Sequence, residues 1–99
     1  MAYHVYVVEL EPHGSPALRD RRHVYVGHSH LSPTERLEHH LQGKRASRHV
    51  RRHAIRLRPD LAPRGAFPTR EAARRQEKKL ARELERRGYD WLREGTAAA

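Results

Sequence analysis

Cysteine is absent from this 99-residue chain, which excludes disulfides, thiolate zinc sites and a cysteine nucleophile. Long apolar runs are missing too. Nothing approaches the roughly 20 residues that a membrane-spanning helix needs, and the N-terminus lacks the charged-then-apolar layout of a secretory signal. The expectation is a soluble, cytoplasmic protein. Acidic residues are in short supply, 12 Asp+Glu against 21 Lys+Arg, for a net charge of +9 and a pI near 11.0. A chain this short buries only about two-thirds of the surface it exposes when unfolded, so one domain over residues 1–95 is expected, with a small core and a frayed tail over 96–99.

What is abundant is arginine, which greatly outnumbers lysine. Its planar fork suits bidentate contact with phosphate, so the excess points to a nucleic-acid partner more than to a solubilising charge coat. A genome-wide arginine bias would produce the same composition, so charge alone does not decide.

Tyr3 to Leu10 (YHVYVVEL), rich in β-branched and aromatic residues, predicts a strand. Glu11 to Arg22 holds two prolines and a glycine and predicts a loop, and His23 to Gly27 a second, antiparallel strand. Ser32-Pro33-Thr34-Glu35 signals a helix start by N-cap serine, proline at the first helical position and glutamate three after the cap. That helix should end near Gln42, before Gly43, with Leu37 and Leu41 toward the core and Arg36 and His40 along one rim. Lys44 to Arg58 reads as a solvated basic face, helical over part of its length. Ala66-Phe67 is the best candidate for a third short strand. A long helix follows between Thr69, a plausible N-cap, and Gly88, and Tyr89 to Leu92 suggests a short turn folding back. The fold class expected is α/β (α+β), a small mixed or antiparallel sheet of about three strands flanked by helices.

One residue stands out. At about 100° per residue, Ala73, Leu80 and Leu84 fall within roughly 40° of one another on the long helix, and Glu77 lands among them. A buried carboxylate needs a metal, an arginine or an opening to water, and each option points to a site. An ion pair with Arg36 across two helices is the structural alternative.

In order along the chain come tyrosines on two adjacent strands, Arg36 and His40 on the next helix, and Glu77 on the last. This order resembles the GIY-YIG nuclease family. His4-Val5-Tyr6 is similar to its first tripeptide and Tyr25-Val26-Gly27 to its second; YVGHSHLSPTERLEHHLQGKRASRHVRR resembles the second motif with its arginine helix, and FPTREAARRQEKKL the glutamate helix. The resemblance spans residues 3 to 88. His4 stands where the family has glycine, and Gly88-Tyr89-Asp90-Trp91 offers no asparagine where many members have one. The resemblance implies a metal-dependent endonuclease in which Glu77 is the protein ligand of Mg2+ or Mn2+, Arg36 clamps the scissile phosphate, Tyr6 acts as base and Tyr25 as orienter. In that scheme His40 assists proton transfer or hydrogen-bonds to the tyrosine.

His28 and His30, just after the second strand, are expected near substrate. Lys44, Arg45, Arg48, Arg51 and Arg52, with Arg74 and Lys78 on the long helix, are expected to track the nucleic-acid backbone without reading sequence. The pairs His28-x-His30, His39-His40 and His49 with His53 have ligand-like spacings, but the dense positive charge argues against structural zinc. DNA is favoured over RNA, cut non-specifically or by its shape, in repair or recombination. The alternatives are an inactive nucleic-acid-binding protein of the same fold and a basic adaptor docking on ribosomes or an acidic protein. No residue pattern sets the oligomeric state.

Overall fold

The computed structural model describes residues 2–10, 22–42 and 54–93. β1 (His4–Leu10) and β2 (Arg22–Ser29) form an antiparallel pair, with His4 opposite Ser29 and Leu10 opposite His23. α1 spans Pro33–Leu41, β3 spans Ala54–Leu57, α2 spans Arg70–Arg86 and β4 spans Tyr89–Arg93. The sheet order is β3-β1-β2-β4. Its β3-β1-β2 part is the expected small antiparallel sheet, and the α+β class agrees with the sequence reading.

Two elements differ from expectation. The third strand is Ala54–Leu57, in the C-terminal part of the basic stretch, rather than Ala66-Phe67, where Phe67 makes only an isolated bridge to Tyr3. The segment from Tyr89 is no turn but a fourth strand, laid parallel to β2 with Tyr89 opposite Arg22. Both follow from neighbours the local sequence does not reveal, since a strand's free N–H and C=O groups are satisfied by whichever chain arrives beside it.

Both helix starts are built as the sequence predicts. The Ser32 hydroxyl accepts from the Glu35 amide at 3.2 Å while the Glu35 carboxylate accepts from the Ser32 amide at 3.4 Å, a reciprocal capping box. Thr69 accepts from the Ala72 amide at 3.1 Å. Past the end of α2, Gly88 adopts φ 89°, a left-handed conformation that costs glycine little.

Side-chain alternation divides the sheet into unlike faces. Val5, Val7, Val24 and Val26 join Ala73, Leu80 and Leu84 of α2, with Leu61 and Tyr89 completing that core. Tyr6, Val8, Leu10 and Tyr25 point the other way and pack with Leu37 of α1. The two helices therefore cover opposite faces. On α1 the expected orientation is corrected: Leu41 is 51% exposed, whereas Arg36 and His40, expected on a rim, are buried at 8% and 0%. At the end of β3 the Arg58 guanidinium bonds Glu9 of β1 at 2.8 Å and grips Asp60 through two contacts of 3.0 and 2.9 Å. That grip raises the Arg58 pKa and holds the Asp60 carboxyl below its ordinary range.

The burial pattern makes a contrast that chemical denaturation can read. Leu84→Ala, at a fully buried position, is expected to cost about 3 kcal/mol, and Leu41→Ala less than about 1 kcal/mol. Equal losses would contradict the orientation of α1.

Candidate active site

The site assembles around the middle of β1 and β2. Tyr6 and Gly27 are directly opposite in the ladder, and an ideal Cβ placed on Gly27 would lie 2.6 Å from the Tyr6 oxygen, 2.7 Å from Cζ and 3.0 Å from Cε1 of Tyr25. The glycine is there for space. The Tyr6 and Tyr25 rings lie 6.1 Å apart, and His40 of α1 meets Tyr25 edge-on at 5.5 Å. The His40 Nε2 and Tyr6 hydroxyl are hydrogen-bonded at 2.9 Å. Tyr6 and Tyr25 are themselves 1% and 3% exposed, so the cluster is largely buried.

Burial, with the charge of Arg36 and of His39 beside it, pushes the His40 pKa down to about 4. At neutral pH the ring is therefore uncharged: its Nε2 accepts the Tyr6 O–H in one tautomer and donates to the Tyr6 oxygen in the other.

On the α2 side, Glu77 is 2% exposed, as its place in the apolar stripe predicts. Its Oε2 lies 2.6 Å from Nδ1 of His28. The sequence places His28 near substrate and offers Arg36 as a partner for Glu77; the structure gives Glu77 a bond to His28. The signal that locates His28 is alternation: it shares parity with Val24 and Val26, which face α2. Of the five expected site residues, Tyr6, Tyr25 and His40 cluster on the α1 face of the sheet with the Arg36 charge beside His40, and Glu77 of α2 bonds His28. Gly27, which makes room for Tyr6, and His28, which bonds Glu77, are consecutive in β2.

His30 is exposed. Arg74 and Lys78 are exposed on α2, where with Arg70, Glu71 and Arg75 they line a surface cleft of about 490 Å³. Lys44, Arg45, Arg48, Arg51 and Arg52 lie outside the described residues, as do His49 and His53. Among the described residues no group of three or more His, Asp or Glu is disposed to hold a metal ion, and no helix is long and apolar enough to cross a membrane. Glu77 is the one buried carboxylate among the described residues.

Comparison with known proteins adds no neighbour: the chain matches no protein-family model, no curated protein and no solved structure.

Two outcomes test this geometry. Gly27→Ala is expected to destabilise the protein by about 2 kcal/mol, because the new methyl would displace the buried Tyr6 ring from its place beside His40, and thermal melting measures it. The lowered His40 pKa has a definite sign. The folded state resists protonation that the unfolded chain accepts near pH 6.5, so stability is present in full above that pH and falls by about 3 kcal/mol as pH drops toward 4. Urea titrations across that window should show a flatter acid limb for His40→Gln than for wild type.

Proposed function

We propose that the protein is a divalent-metal-dependent endonuclease of the GIY-YIG type, hydrolysing phosphodiester bonds in DNA. The observation that carries this reading is the convergence of Tyr6, Tyr25 and His40 around Gly27, a polar cluster buried in a chain with little core to spare. Structural economy would fill that space with aliphatic side chains.

Phosphodiester hydrolysis needs a positioned water, neutralisation of charge on the phosphate, and help for the departing oxygen. Glu77 would hold Mg2+ or Mn2+, which when bound supplies charge neutralisation at the phosphate. His28, bonded to Oε2, fixes the orientation of that carboxylate. Arg36 contributes a fixed positive charge and a fork that matches two phosphate oxygens.

The tyrosine roles follow from the proton inventory. A neutral imidazole whose conjugate acid has a pKa of about 4 is a poor acceptor for the proton of an ordinary phenol near pKa 10, a transfer costing about 8 kcal/mol. His40 therefore orients the Tyr6 oxygen and does not deprotonate it. With Nε2 as donor it holds the Tyr6 oxygen in place; Tyr6, once its own proton has passed to solvent, is the base that takes a proton from the attacking water as the new P–O bond forms and the bond to the leaving oxygen breaks. Tyr25 packs beside both rings and keeps them aligned. Arg74 and Lys78, exposed on α2, add contacts to the nucleic-acid backbone.

Nicking of supercoiled plasmid by purified protein tests the proposal. Wild type should cut with Mg2+ or Mn2+ and stop on addition of chelator. Glu77→Gln, which keeps the shape of the side chain beside His28, and Arg36→Ala should each lose about a hundredfold or more in rate while retaining salt-sensitive binding. If Glu77→Gln cuts as fast as wild type, the mechanism is wrong. Tight binding by all three proteins without cleavage would instead favour a binding protein of the same fold.

A further inference from the structure

The edge of β1 on the β3 side is covered except at one residue. Tyr3 exchanges both backbone hydrogen bonds with Phe67, at 2.8 and 2.7 Å, and the Val7 carbonyl accepts from the Arg58 amide at 2.8 Å. Strand geometry points the N–H and C=O of Val5 to the same edge as those of Tyr3 and Val7. Yet β3 ends at Leu57 and the chain bows away through residues 59–66, so among the described residues no backbone group meets Val5 there.

A cavity of about 520 Å³ occupies the gap, walled by Val5, Pro33, Leu57, Pro59, Ala62 and Pro63. The walls are apolar, and two are prolines of the bowed segment, which have no N–H to offer. One donor and one acceptor on the Val5 backbone are thus set in a mainly apolar surround, whose other polar side chains are His4, Tyr6 and Arg64. Tyr6, hydrogen-bonded to His40, lines the same cavity, and Arg64, exposed, stands at its opening.

The dimensions select the occupant. An added peptide strand, or the edge of a second copy, needs a row of open backbone positions; here the opening is one residue long, with Phe67 on one side and Arg58 on the other. A nucleobase matches better. It is flat, has apolar faces, and carries donors and acceptors on its edge, while the backbone phosphates flanking it suit Arg64 and a chain of net charge +9. We propose that this cavity receives an extrahelical nucleobase, so that the preferred substrate is a duplex interrupted by an unpaired nucleotide beside the phosphate to be cut. This rests on the nucleic-acid reading above and assigns it a substrate class. A paired base cannot enter, because it must first leave the stack, and that cost is least where the nucleotide is already unpaired.

The test is binding in the presence of chelator, which separates recognition from cleavage. Fluorescence anisotropy should give a duplex with a single-nucleotide bulge about tenfold tighter binding than the same duplex fully paired. Ala66→Trp, at an exposed position on the cavity lining, should bring the two affinities together and leave that for the paired duplex unchanged. Ala62→Phe fills the cavity from another wall and should do the same. 2-Aminopurine at the bulge reads the event in the unaltered protein, its emission changing as the base enters. Equal affinities for the two duplexes, or a silent 2-aminopurine with binding intact, overturn the base site and leave the nuclease reading standing. No salt-sensitive binding to either duplex overturns both.

Discussion

Glu77 occupies a position that packing would give to leucine. It sits on α2 between Ala73 and Leu80, facing a sheet of valines, with 2% of its surface exposed. A carboxylate so placed is tolerable only with a partner, and the ring of His28 supplies one at 2.6 Å. That requirement constrains the rest: α2 must cross β2 where His28 emerges, and His28 must share a face with Val24 and Val26. Removing His28 takes a 2.6 Å hydrogen bond from a buried carboxylate, a loss that costs more than a bond between exposed groups would.

A second polar pair, Tyr6 with His40, occupies the other face of the sheet. The sheet divides the small apolar inventory of the described residues into two clusters, and each face carries one buried polar pair beside its cluster. Gly27 makes this possible by leaving room for the Tyr6 ring, and the neutral state of His40 avoids a charge where none could be solvated. Polar pairs in so small a domain reduce stability relative to an apolar filling, and their presence is what the proposed chemistry requires.

Much of the fold was legible because its signals are local. The caps at Ser32 and Thr69 and the left-handed turn at Gly88 are decided within a few residues, and the alternation of β1 and β2 is written in consecutive positions. Glu77 was visible for the same reason, since helical periodicity is a property of one segment. β3 and β4 were not: Ala54–Leu57 is a short strand in an arginine-rich stretch, and Tyr89–Arg93 pairs with a strand more than sixty residues earlier. On α1, Leu41 looked like an anchor by hydrophobicity alone, whereas the buried side carries Arg36 and His40 because the opposing sheet face presents tyrosines.

By itself the sequence determined the helix boundaries, the central hairpin, the buried carboxylate and the charge that suits a polyanion, each a matter of composition or short-range periodicity. Only the tertiary structure decided that His28 partners Glu77, that His40 reaches Tyr6, that α1 and α2 lie on opposite faces, and that β1 keeps a one-residue opening at Val5. These depend on which strand arrives beside which and in what register. Such choices are settled by burial and by hydrogen bonds between segments far apart in the chain, and no local pattern records them.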